Sequence, residues 1–158
     1  MDKGFYFIKD DFYNMVPREC FMDNKNEHRP HYFCYKDKDG LLWMIPLSSK
    51  VEKYEKIMHK RLDQGRPCDT IVIGEVISKT KSVFLIQNMF PTVPFFIGEE
   101  YKLHGIRVEL KNENLIREIN TKAGTVRNMM LRGIRFTASQ PDIPTLRNFL
   151  LEYFPQND

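Results

Sequence analysis

Ser48-Ser49-Lys50 places two hydroxyls and an ammonium where an apolar run, Leu41 to Leu47, gives way to a basic, helix-periodic segment. A helix start adds unsatisfied backbone N–H groups, so the junction outlines an anion site. The same residues fit a simpler role, because Ser49-Lys50-Val51-Glu52 matches the S-x-x-E capping box, in which the serine only satisfies the first turn. A second constellation, His28-Arg29-Pro30-His31-Tyr32, gathers two imidazoles, a guanidinium and a phenol. Alternation along an extended chain sends Arg29 and His31 to one side, Pro30 and Tyr32 to the other. Arg29 can then grip a phosphate bidentately, and His31 can move a proton near neutral pH. The plain alternative is a polar loop running into a strand. A zinc site built on His28 and His31 with Cys20 or Cys34 lacks a second compact ligand pair. Cys68 has no identifiable base beside it. Phosphate-binding glycine loops, G-x-G-x-x-G, H-E-x-x-H and G-x-S-x-G are all missing, which argues against cofactor chemistry.

These residues need elements to hold them. Phe5 to Ile8 suits a strand buried on both faces, and Asp10-Asp11 a cap for a brief helix ending before Pro17. Residues 17–30 read as an irregular loop. His31 to Lys36 and Leu41 to Leu47 form a hairpin around Asp37-Lys38-Asp39-Gly40, where Asp-Gly supplies the positive φ of a tight turn. From Ser49 to Gln64 the period becomes helical: Val51, Tyr54, Met58 and Leu62 share one face, Lys53, Lys56 and Lys60 the other, and Gly65 ends the helix. Thr70 to Ile77 and Ser82 to Gln87 predict a second hairpin around residues 78–81. Pro91 and Pro94 interrupt the next segment, and a strand at Ile106 to Leu110 is expected to close the sheet. Leu115, Ile119, Val126 and Met130 make a helical stripe in which Gly124 marks a kink or a break. Asp142 caps a last helix whose face is Ile143, Leu146, Leu150 and Phe154. Hairpins with helices to one side predict an α+β fold.

The chain has 158 residues, 42% hydrophobic and 28% charged, which excludes a disordered tail, a collagen-like fibre and a membrane span. One domain, residues 1–158, is expected from this length. Lysine and arginine number 24 against 21 acidic residues, too close to balance to announce a nucleic-acid partner, so distribution decides. Between residues 111 and 135 six basic side chains, Lys111, Arg117, Lys122, Arg127, Arg132 and Arg135, face only Glu113 and Glu118. That imbalance suits a groove that tracks a nucleic-acid backbone, with Tyr6, Phe12, Tyr13, Tyr32 and Tyr35 able to stack bases where exposed. Three cysteines without a C-x-x-C pair and an N-terminus without signal-peptide order indicate a reducing cytoplasm. On these residues alone an RNA-cleaving enzyme, a non-catalytic RNA-binding module and a small protein-interaction domain all remain open.

Four stretches carry a resemblance to a known family: Gly4-Phe5-Tyr6-Phe7-Ile8, Arg29-Pro30-His31-Tyr32, Ile45-Pro46-Leu47-Ser48-Ser49-Lys50 and Gln87-Asn88-Met89-Phe90-Pro91. In order and character they resemble the endoribonuclease toxins of type III toxin–antitoxin systems, the ToxN/AbiQ family, and especially its CptN-like branch. The resemblance implies a strongly twisted antiparallel β-sheet, partly barrel-like and flanked by helices, similar to Kid/MazF-type toxins. It implies a metal-independent endoribonuclease of the bacterial cytoplasm that needs no cofactor and acts in phage defence by abortive infection. It also implies that the enzyme is inhibited by a small structured repeat RNA, an RNA antitoxin that it processes, in a cyclic toxin–RNA hetero-oligomer. Substrates would be cellular or phage RNA, and no membrane is involved.

By position, Ser48, Ser49 and Lys50 match the family's active-site junction. Relatives often have a proline between serine and lysine, so both Lys50 and Lys53 stand as the functional cation here. His31 falls where relatives commonly carry tyrosine. Such an enzyme aligns the RNA 2′-hydroxyl with the neighbouring phosphorus, offsets phosphoryl charge and protonates the departing 5′-oxygen. Charge stabilisation then falls to Lys50 and Arg29, phosphate hydrogen bonding to Ser48 and Ser49, and proton transfer to His31, with His28 or His59 as substitutes. Tyr6, His28, Lys53, His59, Arg117, Lys122, Arg127 and Arg132 are the expected RNA contacts.

Overall fold

A computed structural model describes residues 1–21 and 29–156, so the expectations for His28 fall outside the described residues. The elements run β1 (Phe5–Ile8), α1 (Asp10–Met15), β2 (His31–Lys36), β3 (Leu42–Ser48), α2 (Val51–Asp63), β4 (Val72–Ile77), β5 (Thr80–Phe84), β6 (Phe90–Thr92), β7 (Ile97–Glu100), β8 (Lys102–Leu103), β9 (Ile106–Arg107), α3 (Glu113–Leu131) and α4 (Ile143–Tyr153). The sheet is antiparallel in the order β4-β5-β3-β2-β1-β7, with β6 also on β3. It stays open at β4 and β7, so the α+β expectation holds without a closed barrel.

The β2–β3 hairpin forms as its sequence dictates. Gly40 takes φ +84°, and the Asp37 carboxylate accepts the Asp39 and Leu41 N–H groups at 2.9 and 3.0 Å. Its second oxygen accepts the Trp43 indole N–H at 2.9 Å, satisfying a donor that is wholly buried. The far edge of β3 is shared: Leu42 to Met44 pair with β6, and Leu47 and Ser48 with β5. Pro46 sits between the two partners. Its carbonyl accepts from Leu85 N–H at 3.0 Å, and its missing N–H falls at the fork, where a buried strand tolerates proline.

Alternation in the β4–β5 hairpin separates two apolar clusters. Val72 and Phe84 join the main core, while Ile71, Val83 and Leu85 form a small second cluster with Cys68, covered by Val51, Tyr54, Ile57 and Met58 of α2. Leu62, expected on that face, is exposed. α3 lies across the main core through Leu115, Ile119, Ala123, Val126 and Met130.

Several expectations are corrected. The hairpin turn is Ser78-Lys79 rather than residues 78–81, because Lys79 adopts φ +64° and Thr80 already pairs with Ile77. Asp10 and Asp11 lie in the first turn of α1, whose cap is Lys9. Ile106–Arg107 does not close the sheet: His104 and Gly105, at φ +52° and +77°, fold it back on Lys102–Leu103 as a separate hairpin. The sheet ends instead at β7, paired with β1. Gly124 breaks nothing. α3 runs through it unbroken, because the buried stripe on both sides outweighs the ~1 kcal/mol helix penalty of one glycine. Asp142 caps α4 as expected, accepting Thr145 N–H at 3.3 Å. No described helix is long and apolar enough to cross a membrane.

Candidate active site

β3 delivers Ser48 to the surface, and the chain then turns before α2 begins. The Ser48 hydroxyl accepts the Lys50 backbone N–H at 3.2 Å, and Val51 N–H bonds the Ser49 carbonyl at 2.9 Å. Lys50, not Ser49, is the cap residue of α2, and no side chain caps it. The capping-box expectation is therefore corrected: the helix starts one residue later, and the Ser49 hydroxyl is exposed and makes no hydrogen bond among the described residues.

Arg29, Ser48, Ser49 and Lys50 line one cleft of about 510 Å³. Pairing of Ser48 with Val83 brings the start of β5 opposite them, so Thr80, Lys81 and Ser82 form the other rim. Phe5, Leu47, Val76, Ile77 and Tyr101 supply apolar surface between the rims. Among the described residues no carboxylate lines this cleft, although Lys81 reaches out to Glu55 at 3.7 Å. Three cations, two rims of hydroxyls and a helix N-terminus make a place for an anion. Thr80, Lys81 and Ser82 are not marked by local sequence. Their signal is cross-strand register, which depends on where the Ser78-Lys79 turn falls.

A second cleft, of about 340 Å³, shares Arg29 and holds His31, Lys53, Tyr54, Asn88, Tyr13 and Phe90. Pro30 borders the first cleft and His31 the second, as alternation expects, but Arg29 lines both and Tyr32 neither. Lys50 and Lys53 are separated likewise. Lys50 accompanies the serines, and Lys53 lies over the Tyr54 ring at 5.2 Å in the other cleft.

His31 is corrected as a proton-donating acid. The ring is only 3% exposed, and burial pulls its pKa down from 6.5 to about 3; the hydrogen bond to the Arg29 carbonyl works against that shift, and the Arg29 charge adds to it. At neutral pH the imidazole is neutral, so it is not the imidazolium acid that protonating a departing 5′-oxygen calls for. The unfolded chain protonates this histidine below about pH 6.5 and the folded one does not until about pH 3. Stability therefore drops as pH is lowered through that window, by about 1.4 kcal/mol per unit. Urea unfolding at pH 7 and pH 4.5 should show the parent losing about 2–3 kcal/mol more than His31→Phe. Equal losses would refute the burial argument.

Tyr6 is also corrected. It is 5% exposed, its hydroxyl donates to the Asp2 carbonyl, and no face of the ring is open for a base to stack on. His59 is exposed on α2 but lines neither cleft. The α3 basic residues do not join these clefts either. Arg117 and Arg132 are exposed, Lys122 bonds Glu118 at 3.1 Å, and Arg127 lies over the Tyr35 ring at 5.2 Å beside a third cleft containing Asp37 and Asp39. All three cysteines are buried thiols, and burial raises Cys20 and Cys34 to about 12, which removes their thiolates at neutral pH.

No protein-family model and no curated protein matches this sequence. Solved structures do. AbiQ, a lactococcal anti-phage endoribonuclease belonging to the type-III toxin–antitoxin system, superposes with a TM-score of 0.66 at 15% identity, over 97% of this chain and 98% of that one. This chain has the AbiQ fold. A structure from a bacterial type III system with selective toxin inhibition by a non-coding RNA pseudoknot matches at TM-score 0.59 and 16% identity, over 97% and 98% of the two chains. Another, from a bacterial antiviral system regulated by a processed non-coding RNA, matches at 0.57 and 13%, over 96% and 99%. The AbiQ fold spans nearly the whole chain, so both clefts lie within the shared architecture.

Proposed function

We propose that this protein is a type III toxin–antitoxin endoribonuclease that cleaves RNA without a metal ion and is held in check by a small structured RNA. The observation that carries the reading is the first cleft, where Arg29, Lys50 and the Ser48-Ser49 hydroxyls converge without a carboxylate among the described residues, in a chain with the AbiQ fold. A scissile phosphate placed there meets two cations and the start of α2, which offset the charge that grows on its non-bridging oxygens. Ser48 and Ser49 fix its orientation for in-line attack by the adjacent 2′-hydroxyl. The 2′-hydroxyl gives its proton to solvent as its oxygen bonds the phosphorus and the bond to the 5′-oxygen breaks, and the 5′-oxygen takes a proton from solvent, leaving a 2′,3′-cyclic phosphate and a 5′-hydroxyl. Because His31 is neutral and buried, rate enhancement rests on positioning and charge stabilisation rather than on an imidazolium at that position.

The inhibitory RNA occupies the same cleft through one phosphate, and exposed Arg117 on α3 and Arg132 at its C-terminal cap, with Lys122 and Arg127 on the two flanks of the helix, offer cations to its folded body, read by shape. Such bridging, one RNA touching two faces, suits a cyclic toxin–RNA assembly in the bacterial cytoplasm. Support comes from the RNA-regulated systems in which the structural neighbours work. Incubating the purified protein with a generic single-stranded RNA in excess chelator and mapping the new ends tests the proposal. Cyclic phosphate and 5′-hydroxyl ends are expected. RNA that is bound but uncut leaves a non-catalytic binding module, and 5′-phosphate ends refute the mechanism.

A further inference from the structure

We infer that Lys81 is a reserve RNA-binding cation: in the free protein Glu55 of α2 holds its ammonium, and a strand entering the first cleft takes that ammonium over. The inference rests on the proposed ribonuclease reading, because it assigns a second phosphate contact in the same cleft. Lys81 belongs to the β5 rim, across from Ser48, Ser49 and Lys50. Register sets the side it faces. Ser48 pairs with Val83, and Lys81 stands two residues before Val83, so Ser48 and Lys81 are diagonal neighbours on one face of the β3–β5 ladder. Such a diagonal step is about 7–8 Å, within reach of a lysine side chain. A cleft of about 510 Å³ takes a nucleotide rather than a single ion. With Arg29 and Lys50 on the scissile phosphate, Lys81 meets the phosphate next to it.

The present partner holds Lys81 loosely. Its ammonium lies 3.7 Å from a Glu55 carboxylate oxygen, and the two side chains are 58% and 41% exposed. A pair so exposed is worth no more than about fivefold in an equilibrium. The cleft itself pushes the ammonium outward, since Arg29 and Lys50 share its walls and no carboxylate among the described residues does. A phosphate between those walls reverses that field. The ammonium then stands between two anions, and the one lodged against Phe5, Leu47, Val76 and Tyr101 is the less screened by solvent. Glu55 thereby competes with RNA for Lys81 and lowers the affinity of the cleft. Glu75 is the other carboxylate nearby. It faces Lys81 directly across the β4–β5 pair, yet it is exposed and forms no ion pair among the described residues.

A single-stranded 2′-O-methyl oligonucleotide has no 2′-hydroxyl to attack with and stays whole, so its binding, followed by fluorescence anisotropy across a range of salt, tests the exchange without cleavage. Lys81→Ala should weaken binding about three- to tenfold and flatten the plot of log affinity against log salt by about 0.7, one phosphate contact fewer. Glu55→Gln should tighten binding about two- to fivefold. In the Lys81→Ala background the same substitution should change nothing, because no ammonium is left to release. Glu75→Gln removes an equal charge without breaking an ion pair and should tighten binding less. All three side chains are at the surface, and circular dichroism confirms that the variants fold. Affinity and slope unchanged in Lys81→Ala, no gain in Glu55→Gln, or an equal gain with and without Lys81 would each overturn the inference. An equal gain from Glu75→Gln would also overturn it, since general charge would then explain the effect. A parent that shows the Lys81 dependence but leaves ordinary RNA uncut would overturn the ribonuclease reading and leave the exchange standing.

Discussion

Lys50→Ala is expected to slow RNA cleavage by about 10²- to 10³-fold with no loss of folded structure, the range found for removing one preorganised charge-stabilising donor. Lys50 is exposed and caps α2 through its backbone, so truncating its side chain leaves the helix start intact. The lost ammonium sits in a cleft without a carboxylate among the described residues, where the remaining cations are Arg29 and a Lys81 already turned toward Glu55. Lys50→Arg keeps the charge but not its position and should fall between the parent and the alanine variant. Lys53→Ala should cost less than about tenfold, because Lys53 lies in the neighbouring cleft over Tyr54. Single-turnover cleavage alongside circular dichroism separates chemistry from folding. Parental rates in both Lys50→Ala and Ser49→Ala would remove the first cleft from the mechanism.

Asp37→Ala should destabilise the fold by about 3–5 kcal/mol, with a melting temperature lower by about 10 °C or more. One carboxylate accepts three N–H groups at 2.9–3.0 Å, from Asp39, Leu41 and the Trp43 indole. Trp43 is completely buried, so alanine at position 37 takes away the partner of its N–H. Asp37→Asn keeps one oxygen but sets an NH₂ against a donor, and should cost about 1–3 kcal/mol. Thermal and urea unfolding measure both. A loss below about 1 kcal/mol for alanine would mean that the turn is held by Gly40 and the strands alone.

Asp37 shows how far the sequence carries. Asp-Gly was enough to place the turn, since a positive φ at Gly40 follows from local chemistry, but the bond to Trp43 needs the strand pairing to bring the indole over. Where periodicity was strong, as in α2, α3 and α4, the elements formed within a residue or two of expectation, and the buried stripe even carried α3 through Gly124. Where only two residues decide, the reading is coarser: the hairpin around residues 78–81 forms with a tighter turn, and the one at His104-Gly105 goes unread. His104-Gly105 and Ser78-Lys79 each turn the chain through a positive φ on a residue other than glycine, which composition does not announce.

The candidate site divides along the same line. Ser48, Ser49 and Lys50 are consecutive and line one cleft with Arg29, which local sequence groups with His31 instead, while the opposing rim of Thr80, Lys81 and Ser82 depends on register. His31 looked like a surface titrating group because nothing nearby in sequence predicts its cover. Phe90, from a distant segment, packs edge-on against it, and Tyr13 and Phe21 line the same cleft. The basic run of residues 111–135 is expected to line a groove, but its cations are spaced around α3, and the helix docks by its apolar stripe, so none of them joins the serines.

Pro46 has a consequence for all of these placements. A ring with no hydrogen to give, set where β3 changes neighbours, deprives any sliding partner of a rung at that step. Phe90–Thr92 cannot creep toward the serines, and Val83–Phe84 cannot creep toward Trp43, without facing that gap. The proline thereby removes a rung that a slipped pairing needs, and so adds to the strand pairing that keeps the β5 hydroxyls abreast of Ser48.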